Sequence, residues 1–223
     1  MRVISVISQK GGAGKTTIAV HIAVAAMVAG VRTAVIDLDP QTSARRWGDK
    51  RDRDPEVISD HAERLSQLLA AAGQNGADLV VIDTAPNADR ATLIAARAAE
   101  LILIPCRPAA FDLDAIEATR ELADIARKVP YIVLSAAPVR SNLVGEARQG
   151  LTAKGALVAP VVLHNRVAFS HAVIDGRTAT EYEPGGKAAQ EAIALTAWAC
   201  RHVGLQANLH DAFTPASGEP VHV

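Results

Sequence analysis

At 223 residues and 49% hydrophobic, the chain is long enough for one layered domain and too apolar to be disordered. A formal net charge of −1 excludes a global basic field, so any affinity for nucleic acid must come from a local patch. The aromatic residues are only three Phe, two Trp and two Tyr, so the core must be aliphatic and alanine-rich.

A first strand is expected at Val3–Ser8, leaving no room for a signal peptide, and no apolar run approaches the length of a membrane span. A cytoplasmic location follows from this reading. Cys106 and Cys200 lie far apart without ligand spacing and read as buried thiols of a reducing compartment. The scattered histidines offer no zinc pattern, and no internal repeat is visible.

After the first strand comes Lys10–Thr17, KGGAGKTT, and then an alanine-rich helical pattern at Ile18–Val28. A strand, a glycine-rich turn and a helix N-terminus together make a phosphate-binding loop. Glycines let backbone N–H groups converge on anionic oxygens, and the helix adds about half a positive charge at its start. Lys15 would reach the β- and γ-phosphates, and the Thr16 hydroxyl would hold Mg²⁺. The plain Walker A pattern calls for Gly at the position of Gln9; here a second lysine, Lys10, stands at the entrance of the loop instead.

Thr33–Asp37 reads as a buried strand ending in Asp37-Leu38-Asp39-Pro40-Gln41. Carboxylates at the C-terminal end of a parallel strand lie where ligands bind in doubly wound sheets. An extended backbone would put Asp37 and Asp39 on one side, one orienting Mg²⁺-bound water and the other the attacking water. The alternative is a pair of helix caps. Pro40 marks the exit into a loop. Thr42–Lys50 is predicted as a short helix closing near Gly48, Arg51–Asp60 as a surface loop, and Ala62–Ala72 as a helix ended by Gly73–Gly76.

Leu79–Asp83, LVVID, has the form of a Walker B strand, whose carboxylate meets Mg²⁺ beside Thr16. The following turn, Thr84-Ala85-Pro86, could sense the γ-phosphate. Further helices are expected at Asp89–Ala99, Asp112–Lys128, Val144–Lys154, Ala168–Asp175 and Lys187–Val203. Strands are expected at Leu101–Ile104 and Tyr131–Ser135, with an apolar run at Leu157–Leu163. Pro105 and Pro108 stiffen the exit loop around Cys106 and Arg107. Alternating strands and helices predict an α/β fold: a single-domain P-loop architecture with a mainly parallel, doubly wound sheet. Residues 1–203 form that domain; Gly204–Val223 lacks periodicity and reads as a loosely packed tail.

Four segments taken together resemble the ParA family of deviant Walker A ATPases, especially its short, ParF-like members. They are KGGAGKTT, DLDPQ at Asp37–Gln41, VVIDTAP at Val80–Pro86 and LIPCRPAAFDLDAI at Leu103–Ile116. The resemblance spans roughly residues 2–203. It implies that Lys10 is the signature lysine that crosses a dimer interface to the partner's ATP. Gly11, Gly12, Ala13 and Gly14 then cradle the nucleotide, with Lys15 on the phosphates, Thr16 on Mg²⁺ and Thr17 on the α-phosphate. Asp39 resembles the switch carboxylate that positions the hydrolytic water, and Asp37 and Asp83 resemble carboxylates that reach Mg²⁺ through water. It further implies an ATP-sandwich homodimer that binds DNA without sequence preference. A ParB-like or cargo-adaptor partner would stimulate hydrolysis, and the chain would be associated with the nucleoid. Arg166 and Lys187 fall at positions matching DNA-contacting basic residues; Arg140, Arg148, Lys154 and Arg177 could extend that patch. Asn165 and Pro138 are candidate adenine contacts.

Three other readings compete. A MinD-like membrane-associated ATPase needs a basic amphipathic C-terminal helix, but residues 201–223 hold one Arg, no Lys and two prolines. A nitrogenase-like iron–sulfur reductase needs a cysteine pair in glycine-rich loops, and a synthetase needs a second small-substrate site; neither pattern is present. A non-hydrolysing nucleotide switch is disfavoured by Asp39, provided that carboxylate reaches the water.

Overall fold

The computed structural model describes residues 1–213. Its strands are β1 (Arg2–Val6), β2 (Thr33–Asp37), β3 (Glu56–Ser59), β4 (Leu79–Asp83), β5 (Leu101–Cys106), β6 (Tyr131–Leu134) and β7 (Leu157–Val158). They form one sheet in the order β3-β2-β4-β1-β5-β6-β7, and every neighbouring pair is parallel. Parallel neighbours need crossover connections. These are supplied by α1 (Lys15–Val28), α2 (Ser43–Gly48), α3 (Leu65–Gln74), α4 (Asp89–Ala98), α5 (Ala110–Ile125) and α6 (Leu143–Ala153). After β7 come α7 (Val167–Ala172), α8 (Ala179–Tyr182), α9 (Lys187–His202) and α10 (Leu209–Ala212).

Side chains alternate across the sheet and build two cores. Leu79 and Val81 face the layer of α1 and α9, while Val80 and Ile82 face the layer of α3 to α6. Strands covered on both faces read as continuous apolar runs. That is why LVVID and TAVID were legible as strands. α1 is buried around most of its circumference, between the sheet and α9, so it is apolar on nearly all sides. Ala19, Ala23 and Ala26, all fully buried, let it lie close to its neighbours.

The order places β1 in the middle, with later strands added on either side. A topological switch point lies there, and in such sheets the ligand crevice opens at the carboxyl ends of the strands. Register brings Val6, Asp37 and Asp83 side by side at that end.

The structure corrects several sequence expectations. Within the expected surface loop at Arg51–Asp60, Glu56–Ser59 is an edge strand. Val57 and Ile58 pair with Val35 and Ile36, a long-range contact hidden by charged, proline-containing flanks. Helix α1 starts at Lys15, not Ile18, so the phosphate-loop lysine is itself the first helical residue. The strand at Leu101 runs on through Pro105 to Cys106. Its pairing with β1 ends at Leu103, and Pro105 pairs only with Val133 of β6. Of the apolar run Leu157–Leu163, only Leu157–Val158 is a strand; Pro160, which has no N–H to donate, follows closely. The expected helix Ala168–Asp175 divides into α7 and a tight turn at Val173–Asp175, ended by Gly176 at φ 79°. In the stretch expected to be a loose tail, α10 forms a turn of helix and Leu209 is buried. Residues 214–223 lie outside the described residues.

Cys106 and Cys200 are free and buried, and burial pushes their thiols up to about 12 and about 11. Among the described residues no helix is long and apolar enough to cross a membrane.

Candidate functional site

The loop between β1 and α1 turns on glycines in the left-handed region, Gly12 at φ 67° and Gly14 at φ 98°. No side chain caps α1, so its first-turn N–H groups are left for an anion. Lys15 is buried, its Nζ donating to the carbonyls of Ser8 and Lys10, each at 3.2 Å. Burial lowers its pKa, opposed by the charges of Asp83 and Asp39. Those donations go to neutral carbonyls, and a phosphate oxygen is the stronger acceptor.

Thr16 Oγ1 donates to Asp83 Oδ2 at 2.6 Å. Asp83 is fully buried, and its other oxygen, Oδ1, has no partner. Burial pushes its pKa up to about 7. A buried carboxylate with an orphan oxygen beside a threonine hydroxyl fits a hard divalent cation. Mg²⁺ takes oxygen ligands and keeps several waters, so it needs no all-protein cage. Among the described residues no group of three or more His, Cys, Asp or Glu could hold a metal ion.

Asp37 is also fully buried, and burial is the main cause of its raised pKa. Its Oδ1 accepts the Asp39 N–H at 3.0 Å and its Oδ2 the Arg45 N–H at 2.9 Å. Asp37 therefore accepts one first-turn N–H of α2, whose N-cap position is Thr42. Asp39 is half-buried at the mouth of the site, with its Oδ1 held by the Gln41 N–H at 2.8 Å. The expected γ-phosphate turn is anchored differently: the Thr84 hydroxyl is buried and donates to the Val6 carbonyl at 3.1 Å.

Lys10 sits on the rim of the loop, and its Nζ is 2.8 Å from Asp112 Oδ2 in the first turn of α5. The other Asp112 oxygen is buried without a partner. Beside it, Arg107 Nη2 donates to the Gly12 carbonyl, and Ser135 Oγ donates to the Ala13 carbonyl at 2.9 Å.

Next to the phosphate loop lies a cleft of about 250 Å³, lined by Gly12–Gly14, Thr17, Ser135, Ala136 and the 163–170 segment. Its size and position suit a nucleoside. Asn165 and Arg166 line it, whereas Pro138 does not. The expected DNA contact Arg166 is thus a wall residue of this cleft. Its Nε and Nη2 donate to Glu191 Oε1 at 2.9 and 2.7 Å. Glu191 also accepts the His164 N–H and Nδ1 at 2.9 and 2.8 Å, which ties the cleft wall to α9. Arg148 donates to the Ala159 carbonyl, and Arg177 pairs with Asp175. Lys154 follows α6, at the opposite end of the sheet from the site. Lys187 and Arg140 remain as exposed cations on the site's own end.

Behind the phosphate loop, His21 of α1 is fully enclosed. Its Nε2 accepts the Ala179 N–H at 2.9 Å, so Nδ1 carries the proton and donates to the Thr17 carbonyl at 2.7 Å. Arg51, with its side chain 2% exposed, makes a two-pronged pair with Glu181 at 2.9 Å on each prong and lies over the Trp47 ring. These contacts bolt α2 and α1 to the segment around α8. Sequence reasoning missed Arg107, Asp112, His21, Arg51 and Glu191 as site or support residues. Asp112 and Arg107 lay inside a quoted motif; the others carry no local signal.

Residues 4–179 match the CobQ/CobB/MinD/ParA nucleotide binding domain family. The chain is 29% identical over 201 residues to maintenance of carboxysome distribution protein A of Halothiobacillus neapolitanus, covering 85% of this chain and 92% of that one. It is 31% identical over 183 residues to protein ParA of Rhizobium radiobacter, covering 76% and 81%. The fold matches the cell division ATPase MinD of Pyrococcus furiosus with a TM-score of 0.72 at 18% identity, over 90% of this chain and 98% of that one. With a glycine-turned phosphate loop, an orphaned Walker B carboxylate and this breadth of sequence match, the chain belongs to the CobQ/CobB/MinD/ParA nucleotide binding domain family.

Proposed function

We propose that this chain is an ATPase that positions a cargo by binding DNA in its ATP state. One arrangement carries the reading: Lys15, Thr16, Asp83 and Asp39 converge at one end of the sheet, with a second lysine, Lys10, on the rim. Lys15 and the α1 N–H groups would hold the phosphates, and Thr16 with Asp83 would hold Mg²⁺. Bound there, Mg²⁺ would neutralise charge on the β- and γ-phosphoryl oxygens. Asp39, fixed by the Gln41 N–H, would orient the attacking water.

Two triphosphates facing each other across an interface need close counter-charge. Lys10 supplies it in an ATP-sandwich homodimer, leaving Asp112 for the partner's nucleotide. Hydrolysis, slow in the isolated dimer, would be speeded by a ParB-like or cargo-adaptor protein and would release the dimer. The names of two relatives, one for carboxysome distribution and one for ParA, support a positioning role.

DNA contact would be non-specific and would come from Lys187 and Arg140, doubled by dimerisation. Arg166, engaged with Glu191, would contribute only by leaving that pair. The test is binding to random-sequence duplex with ATP, ADP or no nucleotide, using Asp39→Ala to hold the ATP state. ATP-selective binding that weakens with salt is expected, with about 0.9 of slope per phosphate contact. Lys187→Ala with Arg140→Ala should flatten that slope. An ATP dimer that binds no DNA in any state would remove the nucleoid from the mechanism.

A further inference from the structure

Arg107 stands at the carboxyl end of β5, next to the phosphate loop, and its side chain is exposed. Its backbone is stiff. Pro108 restricts the residue before it to extended conformations. The Arg107 carbonyl also accepts the Ala109 N–H at 2.8 Å and the Cys106 thiol at 3.1 Å. The side chain is thus aimed by a fixed frame, and it reaches over the loop to the Gly12 carbonyl. It lines the nucleoside-sized cleft on the loop side, and a Cβ added at Gly12 would come within 3.4 Å of its Nη2.

Arg32, Arg45, Arg64, Arg90, Arg166 and Arg177 are each matched to a carboxylate. Among the described residues, Arg107 has no such partner and, like Arg148, donates to a neutral carbonyl; unlike Arg148, it does so on the phosphate loop. Lys10 is neutralised by Asp112, so in the single chain the loop's available positive charge comes from Lys15 and Arg107. A guanidinium is suited to phosphate because its fork matches the anion's geometry.

We propose that Arg107 is a phosphate ligand supplied by the β5–α5 loop, exchanging the Gly12 carbonyl for an anionic oxygen of a bound nucleoside polyphosphate. The proposal rests on nucleotide binding and is independent of dimerisation and of DNA. Arg107 would favour polyphosphates over the bare nucleoside, and it would help close the β5–α5 loop over the phosphates.

The experiment is calorimetric titration of ATP with Mg²⁺, ADP with Mg²⁺ and adenosine into the wild type, Arg107→Ala and Arg107→Lys. The side chain is exposed, so both variants should fold; their thermal melts check this. Arg107→Ala should weaken ATP by about tenfold to a hundredfold, as loss of a charge-assisted bond does, while leaving adenosine unchanged. Arg107→Lys should recover part of the loss, because charge is kept and the fork is not. ATP affinity equal to wild type in Arg107→Ala would overturn the proposal. So would equal weakening of ATP and adenosine, which would mean that Arg107 only orders the loop. Wild type binding none of the three ligands would overturn the nucleotide site itself, and the proposal with it.

Discussion

Acidification should destabilise this protein through one histidine. His21 is fully enclosed on α1, edge-on to Phe169 with ring centroids 5.0 Å apart. Protonation would place a second N–H on Nε2, directly against the Ala179 N–H that it now accepts. Burial lowers its pKa from 6.5 to about 4. Between those values the unfolded chain binds more protons, so stability falls as pH drops through the window. Folded and unfolded values that far apart correspond to about 3 kcal/mol once both states are protonated, most of it already lost by about pH 4.5. The comparison is His21→Gln, whose amide keeps one donor and one acceptor but does not titrate. Urea unfolding of both proteins at about pH 7 and about pH 4.5 gives two losses of stability, and carboxylate contributions common to both cancel. The wild type should lose about 2–3 kcal/mol more than the variant. Equal losses would refute the reasoning, because they would mean that His21 accepts a proton in the fold without penalty.

Three further outcomes are expected. Arg51→Met should cost up to about 3–5 kcal/mol in chemical unfolding, since it leaves the mostly buried Glu181 with only Arg53, at 3.7 Å, in place of its two-pronged pair; a loss under about 1 kcal/mol would show that the pair behaves as a surface one. Lys10→Ala should bind ATP yet stay monomeric in sedimentation, and an ATP-dependent dimer of this variant would remove the trans role of Lys10. Asp39→Ala should keep nucleotide affinity while phosphate release falls to background; normal turnover would take the water-positioning role from that carboxylate.

Much of the fold was legible because its rules are local. Buried parallel strands are continuous apolar runs, so TAVID and LVVID declared themselves, and the glycine spacing around Lys15 marked the phosphate loop. Glu56–Ser59 was not legible, because an edge strand is defined by its neighbour β2 and not by its own pattern. The same division runs through the site. Lys15, Thr16 and Asp83 were found from spacing, but the orphan oxygen on Asp83 exists only because the sheet buries it.

A parallel α/β core, a phosphate loop with two lysines, and acidic residues at strand ends were all legible along the chain. Each of these follows from backbone conformation and side-chain period, which act over a few residues. Which charges neutralise which emerged only once the chain had folded. Folding paired Lys10 with Asp112 and Arg166 with Glu191, set Asp37 against the first turn of α2, and left Arg107 facing the phosphate loop without a carboxylate among the described residues. Ion pairs and burial depend on approach through space between residues distant in the chain. Desolvation, which sets their strength, is a property of the packed layers and not of any one segment.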